Sequence, residues 1–334
     1  MKITGFGDYL IHFSPIHDER FMQTDYMHMT FTGAEANVCA ALAFWGENTR
    51  FVTKLPKHLL SKRSVAFLTG CGVDTSYIAY GEGRMGVYYL EKGQSLRPSV
   101  VIYDRAPSAF TEASYENFDW DRILEDTKTF YLCGITPALS ENLFQICCRL
   151  LPEVRKRSIP VFFDVNYRPA LGSPECAGET FRALAPYITH LIGNEEHLKM
   201  LLGVSSSHGE DAPAQRLEDL TMQVRRQTGI PHIAITVRRT IDASNTIVYA
   251  SYSDETAFSI SPEYRIQVVD RVGSGDAFSA GLVYGVMHGL SVADTVQFAA
   301  ASNAMKHTIH DDINFASVEE INALLHRQGY DVRR

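Results

Sequence analysis

The sequence predicts an α/β fold: a central, mostly parallel sheet with helices on both faces, and a small β-sheet projecting from it as a lid. Three observations predict it. Short β-rich apolar runs alternate with segments of helical length and period along most of the chain. Two stretches, about 9–32 and 84–110, are instead rich in Tyr, Phe, Val and Thr and have no helical period. The last third carries three helical patterns in succession.

The first strand is expected over Ile3–Asp8. The 9–32 stretch follows, and a loop that long without structure is improbable, so it is assigned to hairpin strands of the lid. A helix is expected at Ala34–Trp45 and a strand at Arg50–Lys54. The second lid stretch comes next, at 84–110. Strands at Phe130–Cys133, Pro160–Val165, His190–Gly193 and His232–Val237 then alternate with helices at Ser140–Lys156, Cys176–Leu184 and Ala214–Thr228. Such alternation implies right-handed crossovers between parallel strands, with ligands bound beyond the strands' carboxyl ends. A last strand-like run, Ile266–Val269, precedes helices at Ser279–His288, Val292–Thr308 and Val318–His326. With no repeat, linker or low-complexity tract, the chain is expected to form one domain, 1–334, carrying the lid.

Composition narrows the function. The 334 residues include 31 Lys+Arg against 39 Asp+Glu, a net charge of −8, which argues against a general nucleic-acid binder while leaving room for a local basic pocket. The six cysteines form no C-x-x-C pair, so neither a zinc site nor a redox motif is suggested, and free thiols fit a reducing compartment. The N-terminal apolar segment is too short for a signal peptide and is interrupted by Asp8, and no apolar run approaches the ~18 residues of a membrane span. A cytoplasmic protein without membrane contact is expected.

The strongest chemical signal is Asp270-Arg271-Val272-Gly273-Ser274-Gly275-Asp276-Ala277-Phe278, between the Ile266–Val269 run and an apolar helix from Ala277. Small residues at 273–275 allow a ligand close to the backbone, and successive N–H groups at a helix start form an anion hole. Asp276 at its mouth is placed to take a proton from a hydroxyl. An Asp cap after a Gly turn explains the same residues about equally well in isolation; the paired glycines and aspartates favour the chemical reading. No P-loop, dinucleotide fingerprint, protein-kinase element or G-x-S-x-G elbow accompanies it.

This turn resembles the D-x-x-G-A-G-D signature of the PfkB (ribokinase-like) carbohydrate kinases. Thr32-Gly33-Ala34-Glu35-Ala36-Asn37 resembles the family's other signature, with Thr32 where glycine is usual. Gly7-Asp8 and Asp164-Val165-Asn166-Tyr167-Arg168 fall where the family places substrate-binding groups, so the likeness runs in order along nearly the whole chain. Within the family it is most similar to 2-keto-3-deoxygluconate kinases, through those segments together with Tyr88-Tyr89-Leu90-Glu91, Arg97-Pro98-Ser99, Tyr103-Asp104-Arg105-Ala106 and Lys306-His307-Thr308.

The resemblance implies a ribokinase-like fold and ATP-dependent phosphorylation of a sugar acid, 2-keto-3-deoxygluconate, to its 6-phosphate. Asp276 would be the general base, with Gly273, Ser274 and Gly275 forming the anion hole. Asp8, Gly33, Ala34, Asn37, Tyr88, Tyr103, Arg105 and Arg168 would hold the substrate, Arg forks and Tyr hydroxyls being natural receptors for a carboxylate. Asn194, Thr236, Arg238, Val272, Gly273, Gly275 and Asn303 would hold ATP. Mg²⁺ is implied, with Glu195 or Glu196 near it, and a monovalent cation is an open possibility. Lids of this kind often pair, so a homodimer or higher homo-oligomer is expected.

Several departures bear on these expectations. His197 replaces the last carboxylate of an N-x-x-E element; Thr236–Asp242 lacks a glycine loop and offers Arg238 and Arg239 instead; and Asp311-Asp312 replaces a Gly-Asp pair. Lys54-Leu55-Pro56-Lys57-His58 is unusually basic. His307 and His310 are read as helix-end residues. The competing readings are a kinase for a neutral sugar or a nucleoside, and a catalytically weak sugar or nucleotide sensor.

Overall fold

A computed structural model describes residues 1–16 and 18–326. His17 in the first lid stretch, and 327–334 at the end of the expected domain, lie outside the described residues. The main sheet has the spatial order Phe258–Ile260, Asn245–Ser253, His232–Thr240, His190–Asn194, Val161–Asp164, Thr127–Cys133, Lys2–Phe6, Thr49–Val52, and Tyr264–Gln267 also pairs with Asn245–Ser253. From Thr49–Val52 to His232–Thr240 every pairing is parallel, as the strand–helix alternation predicts. The pairings made by Asn245–Ser253 are antiparallel.

That nine-residue strand is absent from the sequence expectations. Eight of its residues are buried, so both faces are covered and no polar–apolar alternation marks it. The Ile266–Val269 run is also shifted. The strand ends at Gln267 because Val269 and Asp270 turn their N–H groups to the His307 carbonyl. Helices Leu59–Gly70 and Glu195–Leu202 are further additions.

One face of the sheet is covered by amphipathic helices. Glu141–Lys156, capped by Ser140, buries Leu143, Ile146, Cys147, Leu150, Leu151 and Val154 along one stripe. On the opposite face Ala34–Phe44, Ser274–Met287 and Val292–Lys306 bury most of their residues, so no narrow apolar stripe marks them. Gly281 lets two of them touch: a Cβ there would lie 2.7 Å from Ala299 Cα. This packing fixes the axis along which Ser274–Met287 points its N-terminus into the site.

The lid is a separate four-stranded sheet, Met27–Thr32, Leu10–Pro15, Val87–Glu91, Val100–Asp104, drawn from the two stretches expected to form it. All five residues of its outer strand are exposed. The six cysteines are unpaired, and no described helix is long and apolar enough to cross a membrane.

Candidate active site

The strands' carboxyl ends, the lid and the start of helix Ser274–Met287 enclose a cleft of about 900 Å³. Of the residues assigned from sequence, all but Glu195 line it. At its centre Gly273 adopts φ 73°, a left-handed conformation that glycine takes without strain, and starts the helix. A side chain there is also excluded by space, since a Cβ would fall 1.8 Å from the Asp312 carbonyl oxygen. Asp270 organises the approach: its carboxylate accepts from Val272 N at 3.3 Å and Asp311 N at 3.3 Å, and pairs with Lys92 at 2.7 Å.

Asp276 follows in the first helical turn, almost fully buried. Asn37 Nδ2 donates to its Oδ2 at 2.8 Å, which aims the carboxylate. Burial pushes its pKa up to about 6, with the Asn37 hydrogen bond and the Arg168 and Lys306 charges pulling down and Asp312 pushing up. Asp164 is raised to about 7, by burial and then by the Asp276 charge. Beneath them Glu35 is raised to about 8 by burial; its Oε1 accepts from Cys133 N at 2.9 Å and Thr136 Oγ1 at 2.7 Å.

The opposite charge comes from three arginines. Arg168, Arg238 and Arg271 all line the cleft, and none forms an ion pair among the described residues. Arg238 has its pKa lowered, by burial and then by the Arg271 and Arg168 charges. His197 is held down at about 4, by burial and then by Arg168 and Arg238, so it faces the cleft as a neutral imidazole. An unbalanced cationic cluster of this kind attracts a polyanion. Arg271 was not singled out by sequence, because its place in the 270–276 turn carries no signal separate from the turn itself.

The lid contributes unevenly. Arg105 is buried and paired with Asp8, Nη2 to Oδ2 at 2.9 Å and Nε to the same oxygen at 3.3 Å. The Tyr88 hydroxyl donates to Asp312 Oδ1 at 2.6 Å, whereas Tyr103 remains 41% exposed on the lid's outer strand. At the far end Asn303 Nδ2 donates to the Ser274 carbonyl at 2.8 Å and its Oδ1 is buried without a partner.

The pfkB family carbohydrate kinase model matches residues 2–319. The chain belongs to the pfkB family of carbohydrate kinases. This pfkB kinase is 38% identical to a solved 2-dehydro-3-deoxygluconokinase of Thermotoga maritima, with a TM-score of 0.93 and 98% of each chain covered. It is 27% identical to a solved putative 2-keto-3-deoxygluconate kinase of Enterococcus faecalis, at a TM-score of 0.92, covering 100% of this chain and 99% of that one. A 2-dehydro-3-deoxygalactonokinase of Haloferax volcanii is 30% identical over 97% of this chain and 96% of its own length. The ribokinase-like fold expected from sequence is therefore the fold of this pfkB kinase.

One expected metal-side residue of the kinase is misplaced. Glu195 is buried away from the cleft, ion-paired with Arg216 at 3.0 Å and Lys199 at 2.7 Å. It opens helix Glu195–Leu202, and the helical turn that exposes Glu196 to the cleft rotates Glu195 towards Arg216 on the neighbouring helix. Among the described residues no group of three metal-ligating side chains gathers anywhere. The cleft offers Glu196 at its rim, which suits Mg²⁺ carried on nucleotide phosphates and keeping most of its water.

Proposed function

We propose that this pfkB kinase transfers the γ-phosphoryl group of ATP to the 6-hydroxyl of 2-keto-3-deoxygluconate or its C4 epimer. The observation that carries the reading is Arg168: a guanidinium lining the cleft, close enough to Asp276 and Asp164 to act on both charges, hydrogen-bonded to the Tyr167 carbonyl at 3.3 Å but not to any carboxylate. A neutral sugar gives such a group nothing to neutralise, whereas a sugar acid gives it a bidentate partner. The relatives' names, which share a 2-dehydro-3-deoxy sugar acid and differ in the epimer, support the same class. Arg105, already neutralised by Asp8, would meet sugar hydroxyls beside Asn37, Gly33, Ala34, Tyr88 and Tyr103.

In the mechanism Asp276 removes the proton from the 6-hydroxyl as its oxygen attacks the γ-phosphorus in line, and the bond from that phosphorus to the β,γ-bridging oxygen breaks on the opposite side, releasing ADP. The backbone N–H groups of Gly273 and Gly275 hold the transferred group's oxygens, and Arg238 and Arg271, with Asn194, Thr236 and Asn303, hold the rest of ATP. Mg²⁺, on the Glu196 side, would supply charge neutralisation on the phosphates. A monovalent cation fits poorly beside the turn. Lys92 and the fully buried Lys306, whose Nζ donates to the Ile309 carbonyl at 2.9 Å, already place two ammonium groups among Asp270, Asp311 and Asp312.

The exposed outer lid strand supports pairing with a second copy of the chain. Val100, Val101, Ile102 and Tyr103 are 42%, 42%, 50% and 41% exposed, a concentration of apolar surface that an isolated lid edge would leave in water. Free cysteines throughout fit a cytoplasmic location.

ADP release measured across sugar acids and neutral sugars tests the substrate class. Arg168→Lys is expected to raise KM for 2-keto-3-deoxygluconate about tenfold or more, at ~1.4 kcal/mol per decade, because Lys cannot form the bidentate contact. Activity on a neutral ketohexose should change far less. A wild type that prefers the neutral sugar, or equal losses on both, assigns the kinase to neutral sugars.

A further inference from the structure

Lys306 ends helix Val292–Lys306 and is fully buried, although the reaction steps above make no use of it. A lysine ammonium is rarely enclosed in this way unless the groups around it balance its charge. Its Nζ donates to the Ile309 carbonyl at 2.9 Å, and Ile309 N donates back to the Lys306 carbonyl at 3.0 Å. The chain leaving the helix is therefore folded over its own last side chain. Beyond it, the His307 carbonyl accepts from the N–H groups of Val269 and Asp270, at 2.8 and 3.1 Å. Asp311 N donates to the Asp270 carboxylate at 3.3 Å, and the Asp312 carbonyl is the surface against which Gly273 packs. Residues 306–312 thus form the back wall of the 270–276 turn. Backbone preference alone does not give this wall its shape, since Asp311 has φ 62°, in the left-handed region that favours glycine. Burial lowers the Lys306 pKa, and the Asp270, Asp312 and Asp311 charges push it back up.

We propose that Lys306 is a positioning residue whose ammonium serves as a tethered cation, clamping residues 306–312 against the phosphate-binding turn, so that this kinase works without a monovalent metal ion. The inference rests on the turn holding phosphate. A backbone carbonyl beside carboxylates is a setting that suits K⁺ or NH₄⁺, and the lysine brings the same single charge on a fixed stem, with no ion to bind or lose. Lys92 does a different job. It reaches Asp270 from the lid at 2.7 Å and keeps partial exposure, so it neutralises that carboxylate without entering the wall behind the turn. Removing the Lys306 charge would break the bond to Ile309 and leave buried carboxylates short of a cation, loosening the wall where Gly273 leans on it.

The test measures kcat, KM for Mg·ATP and Tm in the chlorides of tetramethylammonium, K⁺ and NH₄⁺ at one ionic strength. Tetramethylammonium is too large to enter the buried position. The wild type is expected to show the same kcat and the same Tm in all three salts. Lys306→Met, which keeps the length and deletes the charge, should lose about tenfold or more in kcat in tetramethylammonium, as a displaced phosphate-binding turn would. K⁺ or NH₄⁺ should repair most of that loss and raise the variant's Tm by about 2 °C or more, because an ion held only by the folded state stabilises it. Lys306→Gln, which can still donate to the Ile309 carbonyl but carries no charge, answers the same question should Lys306→Met not fold. A wild type that K⁺ activates, or variants whose losses neither K⁺ nor NH₄⁺ repairs, overturns the proposal. A variant with wild-type kcat also overturns it; if its Tm still responds to the ions, what has failed is the assignment of phosphate to the turn. The assay uses whichever sugar of the panel is turned over, so the substrate reading is tested apart from this one.

Discussion

Asp276 is a carboxylate that must be ionised to act, in a place where burial resists ionisation. Its pKa of about 6 arises from burial, with the Asp312 charge adding to it, and that of Asp164, at about 7, from burial and then from the Asp276 charge. The sign follows directly. A raised carboxylate pKa means that the base form is lost as pH falls, so kcat should decline on the acid side with a limb between about 6 and 7. Asp276→Asn keeps the hydrogen bond to Asn37 but accepts no proton, and should lower kcat by ~10²–10⁴ while Mg·ADP affinity changes little. Activity within threefold of wild type would remove Asp276 from the mechanism. The residue was legible because its neighbours are glycines in a fixed pattern. Asp312 was not, because its partners His12 and Tyr88 come from two distant lid stretches that only folding brings together.

At the scale of elements, helix Ala34–Phe44 carries a buried acid in its first turn. Glu35 lies under Gly7, where a Cβ would fall 2.0 Å from Glu35 Oε2, so the first strand and this helix approach as closely as a bare backbone allows. Its folded-state pKa of about 8 lies above the ordinary 4.5, so the folded protein holds the proton more tightly than the unfolded chain. Stability from this protonated carboxyl is fully present below about 4.5 and is lost as pH rises towards 8. Glu35→Gln keeps an acceptor for Cys133 N and Thr136 Oγ1 without that loss. Its Tm should match wild type near pH 5 and exceed it by about 2 °C or more at pH 8.5. A Tm gap that is the same at both pH values would place the charge of Glu35 elsewhere in the balance. The helices themselves were legible from length and period. Helix Glu195–Leu202 was not, and its omission is what left Glu195 on the metal side.

For the whole molecule, the lid reaches two ways: inward to the cleft through Tyr88 and Arg105, and outward through the exposed strand Val100–Asp104. Ile102→Lys places a charge in the middle of the outward face, where an edge strand tolerates it in a monomer but not in a paired sheet. Light scattering should find a homodimer for the wild type and a monomer for the variant, with the variant's Tm within a few degrees. A monomeric wild type, or a variant that remains paired, would count against the lid as the interface.

The sequence by itself determined the α/β class, the parallel centre of the sheet, the lid's two stretches and the turn around Asp276. These are local: they rest on periodicity, on small residues at a helix start and on residues adjacent in the chain. Tertiary structure decided what each charged side chain faces. Arg105 met Asp8 and Glu195 met Arg216, while Arg168 was left without a carboxylate. Ion pairing in a buried site depends on distances of about 3–4 Å between groups far apart in the chain, and no spacing along the chain encodes them.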